Sequence, residues 1–337
     1  MSDKETYCVI GSNCFTGSHI VDSLLENSAH RIIGVSRSAE YQPLFLPYKQ
    51  RSQTEFHFYQ IDIVRQFDKL MNLLDVEKPS VVINVAALSE VGLSNSSPTE
   101  YFEINTLATV NLCNQLRTRS YLHHYVHISS AEIFGSCSVP VNEQGLFNPS
   151  TPYAVSKAAA DMYLGTLQKN FNFPAILIRS TNVYGKHQQL FKIIPRTAIY
   201  LRMGRLIELH GGGLSQKSFI HIRDLTHGLL LALKRGQPGT YHFTEPSDDT
   251  VADVVRFVCE QMGYDFAQAT RVVGERLGQD ARYWLDCSKA QSELGWTPQV
   301  PFEQGVREVI DWIESNWTVI QQESLVYTHK AYAPITE

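Results

Sequence analysis

Short apolar segments rich in β-branched residues alternate with amphipathic segments of helical period over the first 180 residues. Strands are predicted at residues 7–10, 31–36, 56–61, 81–85, 125–129 and 176–179. Helices are predicted at residues 17–26, 67–75, 98–116 and 151–170. Since a helix between two strands returns the chain to the start of the next strand, this alternation predicts a doubly wound parallel sheet of the Rossmann type.

The regular alternation fades after about residue 185, where proline, glycine and aromatic residues are scattered between shorter elements. Sheet elements are still expected at 218–222 and 240–243, and an amphipathic helix at 303–313. We therefore predict a dinucleotide-binding domain over residues 1–180 with returning segments near 218–243. A smaller, mostly C-terminal substrate-binding lobe is expected from residues 185–217 and 244–330.

Composition excludes several classes of protein. The chain of 337 residues is 43% hydrophobic and 19% charged, which excludes extensive disorder. Its net charge of -5 is not the positive charge expected of a protein that binds nucleic acid or anionic membranes. The six cysteines have no spacing of a metal site, and no apolar run reaches the roughly 18–20 residues of a membrane span. We expect no metal and a cytoplasmic, reducing location.

A glycine-rich turn follows the first predicted strand and opens the first helix. Glycines at such a turn allow close backbone approach to a pyrophosphate, which lies at the helix N-terminus. Only Gly11 and Gly17 are present, with Cys14 between them, so a plain strand-to-helix turn is the alternative. The predicted cofactor contacts of this turn are Gly11, Asn13, Cys14, Phe15, Thr16 and Gly17.

The end of the second predicted strand indicates the type of cofactor. NAD enzymes usually place a carboxylate there, which accepts hydrogen bonds from the ribose 2′-hydroxyl. This chain has Ser36 and Arg37 instead, and an arginine can bind a 2′-phosphate. The cofactor is thus NADP or NAD, with NADP favoured. The alternative is that Arg37 lies over the adenine or points into solvent.

Tyr153 and Lys157 are four residues apart at the start of a long predicted helix, so they share one face. A neighbouring ammonium favours the phenolate, which would let the tyrosine act as a base near neutral pH. Ser130 ends the preceding strand and can bridge the tyrosine and a substrate. A surface tyrosine and lysine pair is the alternative.

At this point the sequence resembles the nucleotide-sugar epimerases and dehydratases of the extended short-chain dehydrogenase/reductase family. The resemblance extends to about residue 315, and the dTDP-glucose 4,6-dehydratase branch is the most similar. The matching segments are 127–135, 148–161, 182–185, 218–224 and 282–296. Further cofactor contacts implied by the resemblance are Asp62, Ile63, Ala86, Ala87 and Asn105, besides Tyr153 and Lys157.

The resemblance also implies a mechanism. Tyr153 removes the proton of the sugar 4-hydroxyl during oxidation at C4, with Ser130 in place of the family threonine. Glu132 matches the base that removes the C5 proton before water leaves from C6. Ala131 stands where the dehydratases have an aspartic acid, and alanine cannot protonate a hydroxyl. A 4-epimerase or a C6 decarboxylase therefore stays open, as does a non-catalytic, cofactor-sensing regulator of the same family.

The implied substrate is a nucleotide-diphosphate sugar. Its predicted contacts are Ser89, Glu90, Ser130, Asn182, Lys192, Lys217, Arg276 and Arg282. Lys217 stands where relatives have arginine, and Glu90 stands where many have histidine. The helices at 98–116 and 151–170 resemble the pair that forms a four-helix interface in relatives, which predicts a homodimer.

Overall fold

A computed structural model describes residues 4–51, 55–275, 278 and 280–327 of the chain. The strands are β1 Glu5–Ile10, β2 His30–Ser36, β3 Phe56–Gln60, β4 Val81–Asn84, β5 His124–Ile128, β6 Ala175–Ser180, β7 Asn182–Tyr184, β8 Ile207–His210, β9 Gln216–Lys217, β10 Phe219–His221, β11 Gly239–Phe243, β12 Thr270–Val273 and β13 Arg282–Tyr283. The α-helices are α1 Phe15–Leu24, α2 Phe67–Glu77, α3 Val91–Ser94, α4 Pro98–Tyr101, α5 Ala108–Leu116, α6 Pro152–Phe171, α7 Ile193–Arg202, α8 Ile222–Arg235, α9 Val251–Met262, α10 Phe266–Ala269, α11 Phe302–Ser315 and α12 Trp317–Ile320.

Seven parallel strands form the central sheet in the order β11-β6-β5-β4-β1-β2-β3. The order reverses beside β1, which pairs with β2 on one side and β4 on the other, as in doubly wound folds. Central strands are apolar on both faces; Cys8, Val9 and Ile10 of β1 are all fully buried. The predicted Rossmann-type sheet is confirmed. Within the first 180 residues, the predicted strands and helices begin and end within two residues of the observed ones.

Helices cover both faces of the sheet. On one face α1 and α8 pack against the strands, and Trp296 contributes a fully buried indole to the same apolar cluster. On the other face α2, α5 and α6 pack through leucines such as Leu70, Leu112 and Leu164. Burial of large apolar side chains on both faces is what keeps an all-parallel sheet stable.

The predicted helix at 98–116 is continuous but not uniform. Between α4 and α5 it contains a π-helical segment, Phe102–Leu107, where the backbone hydrogen bonds span five residues instead of four. Helix α6 begins as predicted, since the Thr151 hydroxyl accepts a hydrogen bond from the Ala154 N–H at 3.2 Å and a proline occupies the first turn.

A third apolar cluster is formed by helices from the C-terminal part of the chain. It is built from α7, α9 and α11 around Ile199, Val255 and Val309. Three two-stranded parallel sheets, β7 with β10, β8 with β12 and β9 with β13, accompany it. The predicted element at 218–222 corresponds to β10 and pairs with β7, outside the central sheet, whereas β11 joins that sheet next to β6. The division into a domain and a lobe stays a prediction.

Candidate active site

A cavity of about 680 Å³ opens at the carboxyl ends of the central strands. In doubly wound sheets this edge, at the point where strand order reverses, is where ligands bind. Nineteen of the predicted site residues line the cavity: Gly11, Asn13, Cys14, Phe15, Thr16, Ser36, Arg37, Asp62, Ile63, Ala86, Ala87, Ser89, Glu90, Ser130, Glu132, Tyr153, Lys157, Asn182 and Lys192.

The glycine-rich turn between β1 and α1 is tightly packed. Gly11 has φ +94°, and a Cβ there would lie 2.7 Å from the Ala86 nitrogen. A Cβ on Gly17 would lie 2.2 Å from the Gly11 carbonyl oxygen, so both positions require glycine. Cys14 has φ -79°, which any residue adopts, and its Sγ accepts the Gly17 N–H at 3.3 Å. Cys14 is thus accommodated without strain and caps the N-terminus of α1.

The end of β2 is tied to this turn by hydrogen bonds. The Ser36 hydroxyl accepts the Asn13 N–H at 3.0 Å, and the Asn13 side-chain amide donates to the carbonyls of Ser38 and Ala39 at 2.9 and 2.8 Å. Arg37 is half-buried in the cavity wall. The turns that would hold the pyrophosphate and the adenosine ribose of a dinucleotide are thus fixed relative to each other.

Asp62 and Asn105, both predicted to contact the cofactor, hold backbone segments of the cavity wall in place by hydrogen bonds. The Asp62 carboxylate accepts the N–H groups of Val64 and Arg65 at 2.8 and 3.0 Å. Asn105 bonds both the N–H and the carbonyl of Leu88, at 2.9 and 3.0 Å, and also reaches the Ser156 hydroxyl at 3.0 Å. Asn105 and Gly17 do not line the cavity; they hold the segments that do.

Tyr153 and Lys157 lie together on the first turns of α6, and both are buried. The Lys157 ammonium donates to the Ile128 carbonyl at 2.6 Å and lies 3.2 Å from Nε2 of His127, and burial lowers its pKa to about 8. The expected lowering of the Tyr153 pKa is not found in this structure. Burial raises that pKa and the Glu132 charge adds to the rise, whereas a hydrogen bond with Ser130 opposes it.

Glu132 follows Ser130 in a short 3₁₀ turn after β5, and the Ser130 hydroxyl accepts the Glu132 N–H at 3.2 Å. The residue is half-buried, but its Oε2 is enclosed and has no hydrogen-bond partner among the described residues. Burial raises the pKa of Glu132 to about 7; Lys217 opposes this rise and Asp280 adds to it. A carboxyl group with such a pKa can give and take a proton near neutral pH.

Tyr283 also lines the cavity, and it was not among the predicted site residues. Its ring lies 3.8 Å from the Lys217 ammonium, which donates to the Asp280 carbonyl at 2.8 Å. Neighbouring residues of a strand point to opposite faces, so Arg282 faces away, over the Trp284 ring and onto Asp248. The period of two could have indicated that only one of Arg282 and Tyr283 faces the cavity, but not which one.

Of the residues predicted to bind the diphosphate, some line the cavity and others do not. Asn182 and Lys192 line the cavity; the Asn182 amide donates to the Ser218 carbonyl at 3.2 Å, and Lys192 pairs with Glu90. Lys217 and Arg282 do not line it in this structure, and Arg276 lies outside the described residues. The C-terminal residues Glu323, Ser324, Val326 and Tyr327 cover part of the cavity, which the sequence did not indicate.

With this fold, the glycine-rich turn after β1 and the Tyr153 and Lys157 pair on α6 define an enzyme of the extended short-chain dehydrogenase/reductase class. The model of the GDP-mannose 4,6 dehydratase family matches residues 8–309. The chain therefore belongs to this family of nucleotide-sugar enzymes.

Similar proteins cover nearly the whole chain. A dTDP-D-glucose 4,6-dehydratase of Mus musculus is 29% identical over 318 residues, covering 92% of this chain and 88% of the relative. The dTDP-glucose 4,6-dehydratase of Haemophilus influenzae is 26% identical and covers 90% and 96%. The solved structure of DesIV, a dTDP-glucose 4,6-dehydratase from Streptomyces venezuelae with NAD bound, matches with TM-score 0.85 and 27% identity over 93% and 98% of the chains. A UDP-glucuronic acid 4-epimerase from Bacillus cereus, 24% identical with TM-score 0.83, shares the fold.

Proposed function

We propose that this chain is a nucleotide-sugar 4,6-dehydratase-like enzyme that acts by transient oxidation at sugar C4. The observation that carries the proposal is Glu132, whose Oε2 is enclosed without a hydrogen-bond partner among the described residues and which lines the same cavity as Ser130 and Tyr153. An enzyme that only oxidises and reduces C4 needs no such base, whereas removal of a C5 proton does. The dehydratases among its relatives agree with this assignment.

A nicotinamide dinucleotide fits the cavity wall. The backbone at Gly11 and Gly17 is too closely packed for a Cβ, and it presents the N-terminus of α1 toward the cavity. When bound there, such a cofactor would supply reversible hydride transfer at C4. The polar residues Asn13, Ser36 and Asp62 line the cavity here and would hold the pyrophosphate and the adenosine of the cofactor.

Tyr153 takes the proton of the 4-hydroxyl in this proposal, and Ser130 orients the phenol. Lys157 anchors α6 to the end of β5 through the Ile128 carbonyl, which places Tyr153 over the cavity.

Glu132 serves as both base and acid for loss of water in this proposal. It removes the C5 proton, which the 4-keto group has made acidic, and then delivers that proton to the departing C6 hydroxyl. Ala131 offers no proton, and the Glu90 carboxylate is paired with Lys192. The pKa of about 7 at Glu132 suits both steps. Atoms balance, since the 4-hydroxyl proton leaves through Tyr153, C5 regains a proton from water through Glu132, and one hexose gives one 4-keto-6-deoxyhexose and one water.

The second candidate is a 4-epimerase or a C6 decarboxylase, and the observation that favours it is Ala131. The buried methyl group of Ala131 occupies the position of the family acid. Nothing favours the non-catalytic regulator, because the relatives are enzymes.

The test uses a panel of UDP-, dTDP-, GDP- and CDP-hexoses in deuterated water with detection by mass spectrometry. A dehydratase product loses one water and gains solvent deuterium, whereas an epimer keeps its mass. Glu132→Gln should leave C4 oxidation intact, so that reduced cofactor accumulates and the C5 proton does not exchange. Product of unchanged mass without deuterium from the wild type would establish the epimerase instead.

Three finer assignments are proposed with this function. Arg37 in the cavity wall supports NADP, while the solved relatives hold NAD. Exposed Val155 and Met162 lie seven residues apart on one face of α6 and support a homodimer. No helix among the described residues is long and apolar enough to cross a membrane. A cytoplasmic location stays a prediction.

A further inference from the structure

An ion pair crosses the candidate substrate cavity. Glu90 lies in the segment that leads from β4 into α3, and Lys192 lies immediately before α7, in the C-terminal part of the chain. The Lys192 ammonium is 3.0 Å from Oε2 of Glu90, although 102 residues separate them in sequence. Both side chains line the cavity.

Neighbouring groups hold each partner of this pair in place. The Tyr101 hydroxyl donates to the Glu90 backbone carbonyl at 2.5 Å, which fixes the start of α3. The Lys192 ammonium also lies 5.2 Å from the centre of the Phe191 ring, and the Tyr327 ring packs edge-on against Phe191 at 5.3 Å. The cation is thus directed toward the cavity by packing as well as by charge.

The pair is accessible to a ligand. The side chains of Lys192 and Glu90 are 34% and 25% exposed, so water reaches both ends and the attraction between them is modest. A diphosphate carries at least two negative charges and forms charge-assisted hydrogen bonds with lysine. It would compete with the single carboxylate for the same ammonium.

We propose that Glu90 sets the affinity of this site for its diphosphate ligand, and that Lys192 exchanges Glu90 for a phosphate when the ligand binds. The proposal rests on the nucleotide-diphosphate sugar assigned above. Once displaced, the Glu90 carboxylate remains beside the bound diphosphate and repels it. The role of Glu90 is therefore to weaken retention of substrate and of the released product, which share the diphosphate.

The experiment is calorimetric titration of UDP, dTDP, GDP and CDP into the full-length enzyme, followed by the same titration of Glu90→Gln with the tightest binder. Removing one charge near a dianion should lower Kd by about three- to tenfold at low salt, and added salt should reduce the effect. Glu208→Gln removes a carboxylate that is paired with Arg271 and does not line the cavity, and it should change Kd by less than about twofold.

Lys192→Met tests the exchange itself. Lys192→Met alone should raise Kd. In the double variant, Glu90→Gln should lower Kd by a smaller factor than it does in the wild type, because no ammonium is left for Glu90 to release. Equal gains in both backgrounds would show that Glu90 acts only by its own charge and would overturn the exchange. Weaker binding by Glu90→Gln would show that Glu90 positions Lys192 for the ligand and would overturn the proposal. If the wild type binds none of the four diphosphates, the substrate assignment fails, and this inference fails with it.

Discussion

Replacing Glu132 by glutamine should stabilise the folded protein above neutral pH while it removes the proposed base. Burial raises the pKa of Glu132 from 4.5 to about 7, so the folded protein holds a proton that the unfolded chain has already released. The contribution of Glu132 to stability therefore falls as pH rises from 4.5 to about 7 and is level above that. Because a tenfold change in an acid constant is about 1.4 kcal/mol, ionised Glu132 costs the fold about 3 kcal/mol.

Glutamine keeps the shape of the side chain and carries no charge, so the variant should escape this cost. We expect a gain of up to about 3 kcal/mol at about pH 8.5 and little or none at about pH 5, measured by urea unfolding at both values. Glu323→Gln is the matched control and should show no comparable gain. The reasoning is refuted if the difference between Glu132→Gln and the wild type is the same at both pH values.

Tyr153→Phe should reduce turnover at least about 100-fold, the lower end of general-base effects, and near-normal turnover would exclude Tyr153 as the base. The cofactor released by denaturing the purified protein should be NADP by mass spectrometry; NAD alone, with binding unaffected in Arg37→Ala, would contradict the role of Arg37. Light scattering at micromolar concentration should give the mass of a dimer, and a monomer mass would show that the exposed face of α6 is not an interface.

The strands and helices of the central sheet could be predicted because each is specified by residues that are close together in sequence. The apolar run of residues 81–83 and the Thr151 cap with its proline each specify an element within a few residues. The pairing of β7 with β10 is different, since it joins segments far apart in sequence whose strands are three residues long. Nothing within either segment distinguishes a strand of the central sheet from one outside it.

The candidate site was predictable where a motif fixes the backbone and less so where a flexible side chain chooses a partner. Tyr153 and Ser130 follow from motifs, and the structure brings both to the cavity. Lysine is different, because a long side chain can reach several acceptors. Lys217 lies against Tyr283 and the Asp280 carbonyl instead of the cavity, and Lys192 pairs with Glu90. Only the assembled neighbours determine such choices.

The π-helical segment Phe102–Leu107 sets the direction in which Asn105 points and so ties the length of this helix to the wall of the cavity. Each residue of a regular helix advances the rotation by about 100°, and a π segment accommodates one extra residue within a turn. Deleting one residue there would restore a regular helix and turn Asn105 away from Leu88, whose loop leads to Glu90. Because Asn105 also bonds Ser156, whose hydroxyl donates to the Tyr153 carbonyl, such a deletion would disturb the start of α6 together with the Leu88 loop.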